Sequence, residues 1–276
     1  MSEALRPRVR GQFADLAPRV ATAVFLMGIG VVAVWGGTLT FALLISVCVA
    51  VMLWELATML GAGRRSVLLG ALGGGAVLAA SLLPLGIGLP LLMAVPMAGI
   101  ALMRLHRRIF LGFAVAIVLA GVSLTVHMTD FGWRAMLWLV LVVIASDVMG
   151  YFAGRMLGGP KFWPKVSPKK TWSGTVAGWV GAAVIGTIWV IWFEGGVQLI
   201  GISVALAMMA QMGDIAESAV KRKAGVKDSS NLLPGHGGLF DRFDAMLGAA
   251  LLLLVIESFG ALPLPMQAET VVVVAE

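Results

Sequence analysis

Charged residues are scarce in this sequence. Asp, Glu, Lys and Arg make up 12% of its 276 residues, whereas hydrophobic residues make up 60%. Soluble domains carry about 25% charged residues, and the surface of a globular domain needs polar groups to face water. The shortage therefore excludes a soluble globular domain, and the high apolar content excludes a disordered chain.

Cysteine and histidine are also rare. The single cysteine, Cys48, lies in an apolar run, so an intrachain disulfide is excluded. The three histidines are widely spaced, which argues against a zinc site. The chain also lacks the GxxxxGK[ST] pattern of a nucleotide-binding P-loop.

Long apolar runs dominate what is present. Stretches of about 17–25 apolar residues are long enough to cross a bilayer as helices. The sequence therefore predicts an all-α integral membrane protein with a single domain over residues 1–276 and about nine transmembrane helices. The runs lie near residues 20–36, 38–60, 66–83, 85–103, 109–126, 134–154, 174–193, 197–213 and 245–263.

Lys and Arg are distributed unevenly between these runs. They cluster before the first run and near residues 64–65, 104–108, 155–170 and 221–242, and almost none lie in the other connections. Because basic loops stay in the cytoplasm, we expect a cytoplasmic N-terminus and an external C-terminus. The net charge of +6 then indicates a face that attracts anionic membrane lipids, and no nucleic-acid partner is expected.

Two polar segments, about 154–174 and 214–244, hold most of the reactive side chains. Asp241 and Asp244 lie three residues apart at the start of the last predicted helix, so their carboxylates share a face. Asp214, at the end of the preceding helix, is expected to meet them. Carboxylates beside Lys and Arg are what a magnesium–polyphosphate complex requires.

The second segment also carries a resemblance to a known family. Residues 218–244 read SAVKRKAGVKDSSNLLPGHGGLFDRFD, which resembles the signature of phosphatidate cytidylyltransferases, the CDP-diacylglycerol synthases. The residues around Asp214, from Ser146 to Arg155 and from Ser167 to Thr171 are similar to the family as well. One departure is Ser173, where the family usually has Glu.

The resemblance implies a reaction and a set of site residues. The reaction is transfer of a cytidylyl group from CTP to phosphatidate, which gives CDP-diacylglycerol and pyrophosphate and requires Mg²⁺, with a second metal ion left open. The expected metal ligands are Asp241, Asp244, Asp214 and Asp147. The expected catalytic residues are Lys221, Arg222, Lys227, Asp228 and His236, and the expected substrate-binding residues are Ser167, Lys169, Lys170, Thr171, Ser218, Gly237, Gly238 and Arg242.

These expectations place the protein in the bacterial inner membrane, with its active site facing the cytoplasm and phosphatidate in the cytoplasmic leaflet. Formation of a homo-oligomer is left open. The alternatives are a CTP-dependent transferase or kinase that acts on an isoprenoid lipid, and an inactive scaffold or a transporter.

Four ionisable residues outside the motifs are not assigned to the site. Glu55 and Glu257 lie within apolar runs, and His106 and His127 are expected to have no partners. The C-terminal stretch of four valines is too short to span a membrane and receives no role.

Overall fold

A computed structural model describes residues 16–164, 166–233, 235 and 237–267. The predicted site residue His236, the basic N-terminal residues before Leu16 and the C-terminal valines lie outside these ranges. The elements of the described residues are α1 (Leu16–Trp35), α2 (Thr38–Met59), α3 (Arg65–Leu82), α4 (Leu85–Leu102), α5 (Arg107–Met156), β1 (Lys161–Trp163), β2 (Ser167–Thr171), α6 (Trp172–Trp192), α7 (Gln198–Lys223) and α8 (Phe240–Ser258).

Helix α5 is interrupted near its middle. Gly132 has φ 75° and ψ −171°, which is not a helical conformation, and glycine reaches a positive φ without a steric penalty. The two halves of α5 correspond to the predicted runs 109–126 and 134–154. Each of the other predicted runs overlaps one helix.

Five helices among the described residues, α2, α3, α5, α6 and α7, are long and apolar enough to cross a membrane. Together with the apolar composition, they identify a helical integral membrane protein. The number of nine spans and the orientation of the termini remain predictions.

Two helix boundaries differ from the predicted ones in a way that matters for the site. The run predicted over 197–213 is the start of a helix that continues to Lys223, and the last helix begins at Phe240 instead of residue 245. The polar residues of α7 and α8 near these ends are therefore held on helices rather than on a loop.

A short antiparallel hairpin, which the all-α prediction did not include, lies between α5 and α6. Strands β1 and β2 pair with Lys161 opposite Thr171 and Trp163 opposite Ser167. The amide of Trp172 donates to the carbonyl oxygen of Pro160 at 3.0 Å and closes the base of the hairpin. The hairpin carries part of the predicted segment 154–174 and leads directly into α6.

Glycines allow α7 and α8 to approach closely. A Cβ atom on Gly213 would lie 3.0 Å from the amide nitrogen of Gly248, and a Cβ atom on Gly248 would lie 3.1 Å from the Cα atom of Gly213. Small residues at helix interfaces in membranes permit such backbone contact. The contact lies beside Asp214 and one turn from Asp244, so it sets the distance between these two acids.

His127 was expected to have no partner, and this expectation was wrong. Its Nδ1 atom lies 2.5 Å from Oε1 of Glu257 on α8, and the histidine is fully buried. The hydrogen bond joins α5 to α8 at the end of α8 farther from the acidic segment. Its two members come from apolar runs 130 residues apart, so local spacing did not reveal the pair.

Candidate functional site

The ends of several helices line an open cleft of about 480 Å³. Its walls come from α5, β2, α6, α7 and the start of α8, and they carry both carboxylates and cations. The lining residues are Ser146, Asp147, Gly150, Tyr151, Gly154, Arg155, Lys169, Lys170, Thr171, Gly174, Thr175, Gln211, Asp214, Asp241, Asp244 and Ala245.

Three acids converge beside this cleft: Asp214 and Asp244 line it, and Glu217 is buried behind them. Asp214 and Glu217 lie nearly one turn apart on α7, and Asp244 faces them from α8. Each offers a carboxylate oxygen, and these oxygens lie within 4.8 Å of one another. Clustered carboxylate oxygens are the ligand type that Mg²⁺ and other hard divalent cations prefer. We refer to these three residues as the acid cluster.

The acid cluster also contains an acceptor atom that lacks a donor. Glu217 is fully buried, and its Oε1 atom has no hydrogen-bond partner among the described residues. Its Oε2 atom lies 2.6 Å from the ammonium group of Lys221. A buried carboxylate oxygen without a donor is costly, and a bound cation would compensate it, so the donor set fits a divalent metal.

Asp241 is engaged by neighbouring groups on both of its oxygens. Its Oδ1 atom accepts a hydrogen bond from Lys221 at 2.6 Å. Its Oδ2 atom accepts from the amide and hydroxyl of Ser229 and from the amide of Gly238, each at 2.8 Å. Asp241, the first choice for a metal ligand from the sequence, therefore holds the loop before α8, and Glu217 takes the third position in the acid cluster.

The two aspartates of α8, which precede its apolar part, titrate differently. Burial would raise the pKa of Asp241, but the hydrogen bonds that its carboxylate accepts, foremost from Lys221, lower it to about 2. Burial, and then the negative charge of Asp214, raise the pKa of Asp244 to about 7. A cation bound between Asp214 and Asp244 would remove this repulsion and favour the ionised carboxylate.

Lys170 links the hairpin to the acid cluster. Its ammonium group lies 2.5 Å from Oδ2 of Asp214, so a cation of the protein already contacts one member. Below it, the Gln211 side chain donates to Ser146 and to the carbonyl oxygen of Thr175, and its oxygen accepts from the indole of Trp179. Gln211 thus ties α5, α6 and α7 together at the floor of the cleft.

The predicted site residues divide between the cleft and its surroundings. Seven line the cleft: Asp147, Lys169, Lys170, Thr171, Asp214, Asp241 and Asp244. Nine others that the structure describes are not part of its lining: Ser167, Ser218, Lys221, Arg222, Lys227, Asp228, Gly237, Gly238 and Arg242.

Two predicted residues outside the lining contact the acids of the site through their side chains. Ser218 lies 3.4 Å from Asp214 and donates to it, and Lys221 bridges Glu217 and Asp241. Lys227 and Asp228 are exposed in the loop between α7 and α8. Gly238 was expected to bind substrate, and its amide donates to Asp241 at 2.8 Å.

The predicted set omitted four residues that contribute to the cleft or its frame. They are Glu217, Arg155, Gln211 and Glu55. Glu217 is three residues from Asp214, so helical spacing was a usable signal for it. Arg155 lies within the segment 154–174 but received no role, and Glu55 comes from a helix whose sequence gives no indication of the contact.

Ser173, the departure from the family pattern, links the start of α6 to the segment between α5 and β1. Its hydroxyl donates to the carbonyl oxygen of Gly158 and lies 3.0 Å from the hydroxyl of Thr171. Thr171 in turn caps α6 by accepting from the amide of Gly174 at 3.3 Å. The serine therefore orders the end of β2, which carries Lys169 and Lys170.

The comparison with protein families agrees with this chemistry. The model of the cytidylyltransferase family matches residues 17–259, which include every described wall of the cleft. The chain belongs to the cytidylyltransferase family.

Relatives of this cytidylyltransferase-family chain occur in several bacteria. Phosphatidate cytidylyltransferase of Brucella abortus is 46% identical over 135 residues, which is 48% of each chain. The enzyme of that name in Helicobacter pylori J99 is 46% identical over 137 residues, 47% of this chain and 49% of the relative. That of Bacillus subtilis is 40% identical over 124 residues, 44% of this chain and 46% of the relative. The matched region spans about half the length of these relatives.

Proposed function

We propose that this protein transfers a cytidylyl group from CTP to phosphatidate and releases pyrophosphate. The observation that carries the proposal is the cleft in which Asp214 and Asp244 of the acid cluster lie together with Lys170, in a chain of the cytidylyltransferase family. The names of its bacterial relatives, which are phosphatidate cytidylyltransferases, support phosphatidate as the acceptor. The product would be CDP-diacylglycerol, a precursor for phospholipid synthesis.

The proposed reaction makes and breaks one bond at phosphorus. A phosphate oxygen of phosphatidate attacks the α-phosphorus of CTP, and the bond from this phosphorus to the β-phosphate oxygen breaks. A phosphomonoester has a second pKa of about 6, so the nucleophile is already mostly dianionic at neutral pH and requires no strong general base. The protein must instead hold two polyanions together in line.

Cationic side chains of the cleft meet this need. Lys169 and Lys170 come from β2, and Arg155 comes from the end of α5 on the neighbouring wall. Lys170 can exchange its carboxylate partner for a phosphate oxygen without leaving the cleft. We assign these three cations to the phosphate groups of CTP and phosphatidate.

Mg²⁺ is the cation that we propose for the acid cluster. Asp214, Glu217 and Asp244 would hold it, and when bound it would neutralise the charge on the phosphate oxygens of CTP. Lys221 would keep Glu217 and Asp241 in place from the protein side. Asp147, which also lines the cleft, is the carboxylate available to a second ion.

We propose further that the chain crosses the bacterial inner membrane nine times, with the cleft on the cytoplasmic side, the N-terminus in the cytoplasm and the C-terminus outside. The guanidinium of Arg65 donates to the carbonyl oxygen of Leu102 at 2.9 Å, so two of the basic connections are adjacent. Glu55, which lies about two helical turns before the first of them, contacts the start of α8. The basic connections and the cleft thus share one end of the bundle, as the positive-inside rule requires.

The test is an assay of detergent-purified protein with CTP, phosphatidate and Mg²⁺. We expect wild type to form CDP-diacylglycerol, EDTA to abolish it, and Asp244→Asn to reduce it by at least about 100-fold, since the variant removes a charge from the reacting centre. Glu194→Gln, an exposed change at the other end of the bundle, is the control and should retain wild-type activity.

Two results would contradict the proposal. Well-folded wild type that is inert with phosphatidate but active with an isoprenoid lipid would overturn the substrate. A protein that is inert with both lipids would support the scaffold alternative.

A further inference from the structure

Glu55 occupies an unusual position for a glutamate in an apolar helix. It lies near the end of α2, is fully buried, and contacts a region 174 to 185 residues away in the chain. Glu217, another buried carboxylate close to the cleft, forms a salt bridge with Lys221 through its Oε2 atom. The neighbours of Glu55 are instead hydrogen-bond donors from the loop before α8.

Two backbone donors and two hydroxyls converge on this carboxylate. Its Oε1 atom accepts from the amide of Leu239 at 2.9 Å and from the hydroxyl of Ser230 at 2.6 Å. Its Oε2 atom accepts from the amide of Phe240 at 2.7 Å and, at 3.4 Å, from the hydroxyl of Ser229. All four contacts make Glu55 an acceptor, which is the role of a carboxylate.

The amides involved belong to the N-terminus of α8. The first amides of a helix have no partner within it, and the residue before α8, Leu239, has no side chain that can cap them. Glu55 supplies the missing acceptor from a different helix, and its charge is favourable at this end of the helix dipole.

The same contact positions the acidic residues of α8. Asp241 and Asp244 follow Phe240 within the first turns of the helix, and Asp241 binds the amides of Ser229 and Gly238 in the loop that Glu55 also holds. The fit is tight, because a Cβ atom on Gly238 would lie 2.6 Å from Oε1 of Glu55. A shift of the Glu55 carboxylate would therefore move the loop and the start of α8 together.

We propose that Glu55 is a positioning residue, which fixes the start of α8 so that Asp244 meets Asp214 and Glu217. It touches no substrate and acts through the backbone. The effect on turnover rests on the proposed function, whereas the effect on the loop does not.

Glutamine at this position tests the proposal because its size is almost unchanged. An amide has one acceptor oxygen and one NH₂ group, so whichever way it turns, the NH₂ group opposes the amide of Leu239 or that of Phe240. Glu55→Gln therefore cannot satisfy both backbone donors. Glu257→Gln is the matched control, since it also neutralises a buried carboxyl group but lies at the other end of α8.

The experiment measures three quantities in detergent: thermal unfolding, hydrogen exchange of the peptide covering residues 229–244, and turnover per folded molecule with CTP and phosphatidate. For Glu55→Gln we expect faster exchange in this peptide and a fall in kcat of about tenfold or more, since displacements of about 1 Å can cost about 100-fold. For Glu257→Gln we expect a lower Tm with exchange of this peptide and kcat unchanged.

The other outcomes of these measurements also decide whether Glu55 positions α8. Wild-type exchange and kcat in Glu55→Gln, or a fall in kcat only in proportion to unfolded protein, would overturn the proposal. If Glu55→Gln does not fold, Ser230→Ala replaces it, and wild-type exchange in that variant would overturn the proposal. If wild type is inert with CTP and phosphatidate, the proposed function fails, and the exchange measurement alone decides the role of Glu55.

Discussion

Lys221 lies between two acids that have different roles. Its ammonium group is 2.6 Å from a carboxylate oxygen of Glu217 and 2.6 Å from one of Asp241. The same lysine therefore stabilises the acid cluster on one side and the loop before α8 on the other. Breaking a buried charge pair is more harmful than its net contribution suggests, because the remaining charge is left without a partner.

The proposed role of Glu217 as a metal ligand gives the first prediction. Glu217→Gln should raise the Mg²⁺ concentration for half-maximal rate roughly tenfold or more, since even outer-shell partners change metal affinity by about 10–100-fold. Lys221 keeps Asp241 as its partner, so the variant should fold. A titration of activity with Mg²⁺ measures the effect beside Glu194→Gln as control. An unchanged Mg²⁺ requirement would show that Glu217 is not a ligand.

Local spacing reveals some of these residues and not others. Asp241 and Asp244 were predictable as a pair because residues three apart share a helix face. Asp241 binds the loop before α8, whereas Asp244 belongs to the acid cluster. This difference depends on how α8 is rotated against α7, which no local pattern encodes. Glu55 is still less predictable, because its partners lie more than 170 residues away.

At the scale of the elements, the contact between α7 and α8 forms the acid cluster. Apolar runs predict where helices form, because their length and composition suit a bilayer, and each predicted run overlaps a helical segment. Their ends are harder to predict, since polar side chains that bind one another allow α7 to continue to Lys223 beyond the apolar run. The hairpin of β1 and β2 has no periodic apolar pattern and was not predicted.

The close approach of α7 and α8 gives the second prediction. The added methyl group of Gly213→Ala would lie 3.0 Å from the amide nitrogen of Gly248, so the helices must separate. We expect a loss of about 1–3 kcal/mol in the free energy of unfolding, as for other overpacked sites, together with a fall in activity per folded molecule. Thermal unfolding and the CTP assay measure both effects.

Gly201→Ala is the matched control on the same helix. A Cβ atom there meets nothing within 4 Å, so its Tm should be unchanged or slightly higher, because alanine favours a helix more than glycine does. Equal effects of the two substitutions would contradict the assigned helix contact.

At the scale of the whole molecule, polar chemistry is concentrated at one end of an apolar bundle. This arrangement suits a reaction between a water-soluble nucleotide and a lipid whose acyl chains stay in the bilayer. A transporter would place such residues near the midplane on broken helices. The one interrupted helix among the described residues, α5, is broken at Gly132, whereas the residues that it contributes to the cleft lie between 146 and 155, near its end.

The proposed topology gives the third prediction. In a Cys48→Ala background, Lys223→Cys lies at the cleft end of α7 and Val197→Cys lies just before the other end. A membrane-impermeant maleimide should label Val197→Cys in spheroplasts and Lys223→Cys only in inverted vesicles. Labelling of both positions from the same side would contradict the assignment of the cleft to the cytoplasmic face.

Transfer of the cytidylyl group to phosphatidate is the central claim, and one measurement tests it most directly. Purified protein is given phosphatidate, Mg²⁺ and CTP that is radiolabelled at either its α or its γ phosphate. We predict that the α label appears in the lipid and the γ label in pyrophosphate. A γ label in the lipid would reveal a kinase, and no label in the lipid from either CTP would contradict the proposed activity.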